Sequence, residues 1–569
     1  MLDLKIKNGT IIDGTGAPAA TGDIGIRNGR IAAVGEVGES ARETLDAEGS
    51  AVTPGFVDVH THYDAQVFWD PKLSPSCYHG VTTVFGGHCG FSIAPLSPEA
   101  APYLLRMLAR VEGMPEACLE AGVAWNWRSF GEYLGQLDGN LGLNAGFLAG
   151  HCALRRVVMG ERAVGERANA SDVRAMQELL SQSLEEGAIG FSSTLSTTHN
   201  DADGQPVPSR HASVDEILDL ARVVGRHEGT SIEFLPGVGL FSDEVRQLMS
   251  EISTESQRPV NWNVLNPGPP ELMDNQLGIS DIARRNGGKV VALTMPQPIV
   301  LRLNLHGGMV FDAMQGWADL FKLTVPERMA WLASPAHRQA LDRSARSGGP
   351  FQSISDWRRW QVHAVFDAAN KGFEGRTIGD IAAEQGKAPF DAMLDLALTE
   401  GLRTSFIPLD FGGGTDEGLW RRRGQLWADE RTVIGASDAG AHLDMIDTFT
   451  YATALLRHGV CEQGVITLEE AVRQLTQVPA ALFGLRERGV LRPGWHADLV
   501  VFDPDAVAPG TVGIRQDLPA GEPRVYAEAE GIHQVFVNGV RILDQGRHTG
   551  SLPGKVMRSG IDTRTPTLD

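Results

Sequence analysis

The sequence predicts an α/β fold centred on a closed (β/α)8 barrel of the TIM type. Between about residues 52 and 480, short apolar runs alternate with longer amphipathic stretches, as expected for parallel strands joined by helices. The apolar runs number eight, and His, Cys and Asp residues follow the ends of several of them. Because such barrels place reactive groups at the carboxyl ends of their strands, these features favour the barrel over an open, doubly wound sheet.

The barrel is assigned to residues 53–480, and each of its strands is a short apolar or β-branched run. The predicted strands are 55–59, 81–85, 144–149, 189–192, 231–234, 260–264, 290–294 and 433–436. Helices are predicted between them, for example over 171–186, with Ser171 as the N-cap, and over 213–227.

The two ends of the chain predict a second, smaller unit. Residues 1–52 and 481–569 contain short alternating runs, with candidate strands at 4–6, 10–12, 24–26, 30–34, 497–502, 534–537 and 540–543. Asn28-Gly29 and Asn538-Gly539 are two-residue hairpin turns by their composition. Neither end is large enough to form a stable sheet alone, so we expect both to pair into one small β-sandwich domain.

A long insertion follows the seventh predicted strand. Residues 296–432 far exceed an ordinary βα connection, and they contain six of the 11 tryptophans: Trp317, Trp331, Trp357, Trp360, Trp420 and Trp427. Because this connection leaves the catalytic end of the barrel, we interpret it as a mainly helical, lid-like segment. The alternative is that these aromatics fill a small core of the insertion itself.

Composition limits the class of protein and of partner. The 569 residues are 42% hydrophobic and 21% charged, which excludes disordered, collagen-like and disulfide-stapled chains. A net charge of −21 disfavours nucleic acids and anionic membranes as partners, so a small molecule is expected; homo-oligomerisation is left open. The chain shows neither a signal-peptide pattern nor a long apolar run, and its five cysteines include no CxxC pair. These features predict reduced thiols and a cytoplasmic location.

The strongest chemical signal is the pair His60 and His62 at the end of the first predicted barrel strand. Side chains two residues apart in a strand point to the same face, and imidazole is a good ligand for Zn²⁺. The last predicted strand is followed by Asp438, and strands one and eight are neighbours in a closed barrel. We therefore expect His60, His62 and Asp438 to bind one divalent metal, most simply zinc.

A cysteine is the third element of this site. Cys89 follows the second strand among glycines that permit a close backbone approach, and a thiolate is a strong zinc ligand. A free cysteine is more often an inert core residue, so Cys89 indicates a metal site only together with the two histidines.

These segments resemble the amidohydrolase superfamily, and more narrowly its D-aminoacylase (N-acyl-D-amino-acid deacylase) branch. The similar strings span nearly the whole chain: NGTIIDGTG, PGFVDVHTHYDAQ, GVTTVFGGHCGFSIAP, LAGHCALR, GAIGFSST, SDAGAH and RGVLRPGWHADLVVFDP. The resemblance implies a metal-dependent hydrolase of amide-type C–N bonds, with His60, His62 and Asp438 in one metal site and Cys89 supplying a thiolate.

The sequence departs from this branch at strands five and six. D-aminoacylases carry a metal histidine after each of these strands, and a substrate-binding lysine soon after the second. Here Glu233 and Asn263 stand near those positions, and no lysine follows Asn263 in the next few residues. Glutamate is an acceptable zinc ligand and asparagine a poor one, so we expect a weakened or rebuilt thiolate-containing site with Glu233 as a ligand candidate.

The predicted reaction is hydrolysis of an N-acyl amine or N-acyl-D-amino-acid-like substrate by metal-activated water. Asp438 is the predicted general base and acid, and His151, His442 and Asn263 are candidates for substrate or oxyanion contacts; His199 and His211 are weaker ones. Two alternatives remain: hydrolysis of a cyclic amide on the same barrel, and a non-catalytic barrel that has lost its metal.

Overall fold

The computed structural model describes residues 1–308, 310–348, 352–409, 411 and 417–568. Within these residues the chain forms 23 β-strands, numbered in chain order: β1 Leu2–Ile11, β2 Ala20–Arg27, β3 Arg30–Gly35, β4 Ala41–Asp46, β5 Ala51–Pro54, β6 Phe56–Asp58, β7 Val81–Gly86, β8 Asn144–Gly150, β9 Gly190–Thr194, β10 Ser231–Leu235, β11 Val260–Leu265, β12 Val290–Thr294, β13 Trp360–Ala364, β14 Ser405–Pro408, β15 Thr432–Ile434, β16 Leu499–Phe502, β17 Ala508–Pro509, β18 Gly513–Arg515, β19 Arg524–Tyr526, β20 Ala529–Glu530, β21 Ile532–Val537, β22 Val540–Asp544 and β23 Arg547–His548.

The same residues form 16 α-helices: α1 Ala101–Val111, α2 Glu116–Gly122, α3 Phe130–Leu137, α4 His151–Met159, α5 Ala170–Glu185, α6 Val214–Val224, α7 Asp243–Ser256, α8 Pro270–Arg285, α9 Val325–Leu332, α10 Pro335–Arg346, α11 Ile378–Gln385, α12 Pro389–Thr399, α13 Glu417–Trp427, α14 Tyr451–Ala454, α15 Leu468–Leu475 and α16 Gln477–Leu482. A π-helix, Leu455–Glu462, continues α14. None of the helices in the described part of the chain is both long and apolar enough to cross a bilayer.

Eight parallel strands form the barrel, and the predicted fold class is confirmed. Their order is β15-β12-β11-β10-β9-β8-β7-β6, and every predicted barrel strand overlaps one of them. The ring closes just beyond the ends of β6 and β15, where Thr61 and Ala439 form a parallel bridge and the N–H of His62 donates to Ala439 at 2.7 Å. Strands β6 and β15 are shorter than predicted because residues beyond their ends turn out of the ladder to build the site.

The helices between the strands begin at polar caps, with one correction to the prediction. Helix α6 begins after Ser213, as predicted, and the Ser213 side chain accepts the N–H of Glu216. Helix α5 is capped by Asn169 and not by Ser171. The Asn169 side chain accepts the N–H groups of Ser171 and Asp172, while Asp172 accepts the N–H of Asn169 in return. This reciprocal pair satisfies more backbone donors than Ser171, two residues later, could as the cap.

Both ends of the chain contribute to a nine-stranded sheet in the order β23-β22-β21-β16-β5-β1-β2-β3, with β4 beside β1. The two short strands predicted at 4–6 and 10–12 are one continuous strand, β1, with an irregularity between Ile6 and Gly9. Both predicted Asn-Gly turns are present, with positive φ at Asn28, Gly29, Asn538 and Gly539. The last part of the chain leaves this sheet: Ala145 of β8 donates to Lys555 and accepts from Met557.

The insertion between β12 and β15 is mainly helical, as predicted, and contains α9 to α13 with the two-stranded sheet β13-β14. It has an apolar core separate from that of the barrel. Trp317, Trp357 and Trp360 are buried in this core and Trp331 packs against it, whereas Trp420 and Trp427 belong to the barrel core. Four of the six tryptophans therefore pack in or against the insertion's own core, as the second interpretation had it, whereas the other two pack into the barrel core, which neither interpretation predicted.

A buried histidine connects the barrel to the C-terminal segment and predicts acid sensitivity. His79 is fully buried, with Nδ1 2.8 Å from Thr453 Oγ1 and Nε2 3.1 Å from the Ala527 carbonyl oxygen. Burial lowers the pKa of His79 to about 4, so the native state binds fewer protons than the unfolded chain between pH 4 and about 6.5. This contribution to stability is complete above about pH 6.5 and decreases as the pH falls towards 4.

We therefore expect urea unfolding to show that lowering the pH from 7.5 to 5 reduces the free energy of unfolding, with about 2 kcal/mol of the loss coming from this group. His79→Gln cannot titrate, so its loss over the same pH range is expected to be smaller by that amount. Equal losses in the two proteins would contradict the assignment.

Candidate metal centre

The first strand of the barrel delivers two histidines to one point. His60 and His62 follow β6 in extended backbone, so their side chains leave on the same face. The Nε2 atom of His60 lies 3.2 Å from Asp438 Oδ1, and that of His62 lies 3.7 Å from the same oxygen. The two imidazoles and the distant aspartate therefore meet at the open end of the barrel.

Asp438 reaches this point through a strained turn after β15. Ala436 and Asp438 have φ values of 60° and 50°, in the left-handed region that costs a non-glycine residue about 1–2 kcal/mol. Two hydrogen bonds hold the turn against β6: the N–H of Asp438 donates to the His60 carbonyl at 3.2 Å, and Ser437 Oγ donates to Asp58 Oδ2 at 2.6 Å. The backbone strain is thus used to aim the carboxylate at the histidines.

Cys89 approaches from β7. Its φ is 56°, again left-handed, and its Sγ atom lies 3.7 Å from His60 Nε2. One ligand atom each of His60, His62 and Cys89 lies within 4.8 Å of the other two. All three residues are buried.

The donor set fits a divalent metal. Nitrogen, oxygen and sulfur ligands at about 2.0–2.3 Å from a tetrahedral zinc ion lie about 3.3–3.8 Å from one another. The separations of His60 Nε2 from Asp438 Oδ1 and from Cys89 Sγ, 3.2 and 3.7 Å, are close to this range. Glu233 Oε1 is buried without a hydrogen-bond partner, which is what a further ligand position requires. The side chains present can therefore bind such an ion.

Burial and mutual charge set the protonation of this cluster. Burial opposes ionisation of Asp438, but hydrogen bonds and charge from His60 and His62 hold the pKa of its carboxyl well below the usual range. Burial also disfavours charge on His62, but the Glu112 and Asp438 carboxylates beside it raise its pKa to about 9. Burial raises the pKa of the Cys89 thiol. A bound cation would reverse that effect, because it favours the thiolate.

Glu233 and Asn263 lie against this cluster. Glu233 Oε2 accepts the N–H of Cys89 at 2.8 Å, so it supports the turn that carries the thiol, and burial raises its pKa to about 8. Asn263 Oδ1 lies 4.0 Å from Cys89 Sγ, and its Nδ2 lies 3.5 Å from Asp438 Oδ1. Each of the two therefore contacts a predicted ligand.

Four further histidines were candidates for substrate or oxyanion contacts. His442, at φ 49°, follows Asp438 in the same loop; its Nδ1 is buried without a partner, and burial lowers its pKa to about 4. His151 is not one of the grouped ligand residues, and both of its ring nitrogens have other partners: Ser193 Oγ at 2.8 Å and Glu216 Oε1 at 3.0 Å. His199 and His211 contact Thr194 Oγ1 and the Pro206 carbonyl.

Three residues near the site were missed by the sequence analysis. Glu112, at the end of α1, places Oε1 3.4 Å from His62 Nδ1, and the His88 ring stacks on that of His60 with centroids 4.1 Å apart. Asp58 accepts from Ser437 as described. Strand periodicity could have identified Asp58, two residues before His60, but nothing in the sequence places the end of α1 beside His62.

The Glu112 contact predicts an effect on metal affinity. A carboxylate beside the second nitrogen of a ligating histidine orients the ring and raises its basicity. We expect Glu112→Gln to weaken binding of the metal by about 10–100-fold, measured by competition with a chromophoric chelator. Glu120→Gln, at an exposed position on α2, is the matched control and is expected to retain wild-type affinity. Equal affinities in all three proteins would show that Glu112 does not position His62.

A cavity of about 420 Å³ adjoins the cluster. Gly113, which follows Glu112, and Asp444 and Met445, which follow His442, form part of its wall. The insertion contributes the opposite side with Asn304, His306, Gly307, Phe366, Arg403 and Ser405. The proposed metal ligands do not line this cavity themselves, but the segments that follow Glu112 and His442, beside the cluster, face the insertion across it.

The family model described as the amidohydrolase family matches residues 43–540 of this chain. The chain belongs to this family. This chain is accordingly an amidohydrolase, a hydrolase of non-peptide C–N bonds. The D-aminoacylase of Alcaligenes xylosoxydans xylosoxydans is 27% identical over 98% of this chain and 97% of its own length.

Two solved amidohydrolase structures are similar over their full lengths. One is D-aminoacylase, whose metal centre is binuclear, activated by one metal and attenuated by a second; it has a TM-score of 0.65 and 27% identity and covers 98% of this chain and all of its own. The other is the N-acyl-D-glutamate deacylase of Bordetella bronchiseptica complexed with zinc and a phosphonate inhibitor. It has a TM-score of 0.64 and 28% identity, with the same coverage.

Proposed function

We propose that this amidohydrolase cleaves the amide bond of an N-acyl amino acid of the D series, releasing a carboxylate and an amine. The observation that carries the proposal is the meeting of His60, His62, Cys89 and Asp438 beside a cavity at the carboxyl ends of the strands. The substrate class is supported by the similarity to D-aminoacylase and to N-acyl-D-glutamate deacylase.

His60, His62, Asp438 and Cys89 are the residues that would hold the metal, with Glu233 as a further ligand. Imidazole, carboxylate and thiolate together favour zinc among the common divalent ions. When bound, such an ion supplies Lewis-acid polarisation of a carbonyl and makes a water molecule acidic near neutral pH.

Asp438 moves the proton in the proposed reaction. Its Oδ1 accepts a proton from the attacking water, whose oxygen forms the new bond to the acyl carbon. The C–N bond then breaks, and the same carboxyl gives that proton to the departing nitrogen. Asn263 Nδ2, 3.5 Å from Oδ1, and the N–H of Ala441, which donates to the Asp438 carbonyl at 2.9 Å, hold the aspartate in place during both transfers.

Basic and acidic residues both line the adjoining cavity, and one of its arginines is available to an anionic substrate. Arg110 and Arg302 line it but are paired, with Asp312 and Asp447 respectively. Arg403 also lines it, is exposed, and has no side-chain ion pair among the described residues. We assign Arg403 to the substrate carboxylate. The lysine that the D-aminoacylase resemblance implies for this role is absent from the first few residues after strand β11. The insertion, which carries Arg403, then acts as the lid-like wall of the substrate site.

The proposed ligand set also bears on location. Cys89 must be a reduced thiol to supply a thiolate, and all five cysteines are free. We propose that the enzyme works in the reducing cytoplasm, with a small-molecule amide as its partner.

The proposal is tested on a panel of substrates with the zinc-loaded protein. N-acetyl-D-amino acids are expected to be cleaved faster than their L enantiomers and than a neutral N-acetyl amine of equal size, with two products released. Ring opening of a cyclic amide without cleavage of the acylamino acids would favour the alternative hydrolase. Purified protein that retains no more than trace metal after supplementation, and cleaves none of these compounds, would overturn the proposal.

A further inference from the structure

One buried arginine differs from all the others. Among the described residues, seven arginines are 5% exposed or less: Arg155, Arg258, Arg302, Arg328, Arg423, Arg488 and Arg524. Four of them pair with carboxylates, and Arg258 and Arg328 donate to several backbone carbonyls. Within the part of the chain that the structure describes, Arg423, 2% exposed, has neither kind of partner.

Two of the three guanidinium nitrogens of Arg423 are buried without an acceptor among the described residues. Its Nε and Nη1 atoms are shielded from solvent and make no hydrogen bond. The guanidinium carbon, Cζ, lies 5.1 Å from the centroid of the Trp420 ring. Burial lowers its pKa to about 10, so it stays charged at neutral pH. An uncompensated buried charge is strongly unfavourable, and proteins keep one where a counter-ion binds.

Arg423 lines a cavity of about 490 Å³. Arg422 lines it as well, and its Nε atom is also buried without a partner. The other described lining residues are Asn266, Pro267, Gly268, Pro269, Pro270, Ile299, Phe411 and Leu419, none of which is acidic. Its described lining thus combines two guanidinium groups with largely apolar residues.

The position of this cavity is at the active-site end of the barrel. Asn266 is three residues beyond Asn263, so the two Cα atoms are at most about 11 Å apart. Pro269 caps the 16-residue helix α8, whose positive N-terminal end adjoins the same cavity. The cavity at Arg423 and the one at Arg403 share no described lining residue. They are therefore separate sites.

We propose that the cavity at Arg423 binds an organic carboxylate, with the oxygens on Arg422 and Arg423 and an apolar portion against Ile299, Phe411 and Leu419. The planar guanidinium fork matches a carboxylate in two parallel hydrogen bonds. The apolar wall favours a carboxylate with a hydrocarbon part over a bare inorganic anion. Binding here does not depend on the proposed hydrolysis, since it can be measured without turnover.

The test uses phenylacetate as the probe, with phenylacetamide and inorganic phosphate as comparisons. Isothermal calorimetry on the purified full-length protein is expected to show phenylacetate binding more tightly than either. Arg423→Met is expected to weaken this binding by at least about tenfold, the loss typical of a charged hydrogen-bonded pair, while its melting temperature equals or exceeds that of the wild type. Arg421→Met, at an exposed position on the same helix, is the matched control and is expected to bind as the wild type does.

Steady-state kinetics then distinguish two ligands that could supply the carboxylate: the substrate or product of the hydrolase, and a separate organic acid. If it belongs to the substrate or product of the hydrolase, Arg423→Met raises KM or the inhibition constant of the product acid; if it is a separate acid, hydrolysis is unchanged. The proposal is overturned if Arg423→Met binds phenylacetate as tightly as the wild type, or if phosphate and phenylacetamide bind equally well. A lower melting temperature in Arg423→Met with unchanged binding would show a structural arginine instead.

Discussion

Asp438→Asn is expected to lower kcat/KM by about 10²–10⁴-fold, the range typical of a group that transfers the reacting proton. The amide has the same shape as the carboxylate but cannot accept a proton from water near neutral pH. Asparagine is also tolerated in left-handed backbone, so the φ of 50° at this position is retained. The measurements are steady-state kinetics on an N-acetyl-D-amino acid and a thermal unfolding curve.

The matched control for this experiment is Asp203→Asn, an exposed aspartate that pairs with Arg106 at the surface. It is expected to keep wild-type kinetics. Metal content is measured in parallel, because Asp438 Oδ1 lies beside both histidines and its replacement tests the ligand role together with the proton-transfer role. Wild-type turnover by Asp438→Asn would remove Asp438 from the mechanism.

The barrel could be predicted from sequence because its signals are local. Most of its strands are short runs rich in apolar or β-branched residues and buried on both faces, so they stand out from the amphipathic helices around them. The Asn-Gly turns of the terminal sheet are equally local, since two residues with positive φ determine the turn. The pairing of the C-terminal segment with β8 could not be predicted. It is made by backbone groups of residues more than 400 positions apart, and the side chains of these residues do not indicate it.

The residues of the candidate site also differ in whether the sequence could predict their positions. His60 and His62 are two residues apart on one strand, so strand periodicity predicts that they converge. Glu112 contacts His62 from the end of a helix 50 positions later in the chain, and only the tertiary structure brings the two together. Left-handed backbone at Cys89, Asp438 and His442 was equally hidden, because these residue types do not mark positive φ as glycine does. The residues of the site come from segments that are far apart in the sequence, so only the folded chain shows which of them are in contact.

A second large effect is expected far from the catalytic groups. Glu216→Gln is expected to reduce the free energy of unfolding by about 3–5 kcal/mol, because it leaves the guanidinium of Arg155 without its counter-charge in a fully buried position. Glu216 accepts two hydrogen bonds from Arg155, at 2.5 and 2.6 Å, and one contact from His151. The shape of the side chain is nearly unchanged, so a measured loss reports the charge and the one acceptor oxygen that glutamine lacks. Urea unfolding at neutral pH is the measurement.

Two comparisons make the assignment specific. Glu255→Gln removes an ion pair with Arg222 whose side chains are 41–45% exposed, and is expected to cost less than about 1 kcal/mol. Replacing both partners, Arg155→Met with Glu216→Leu, removes the unpaired charge and is expected to recover most of the stability that Glu216→Gln loses. A loss below 1 kcal/mol in Glu216→Gln would contradict the assignment. A buried guanidinium stabilises the folded protein only where an acceptor for it is present. For Arg155 this acceptor is Glu216, and for Arg423 we propose that it is a bound ligand.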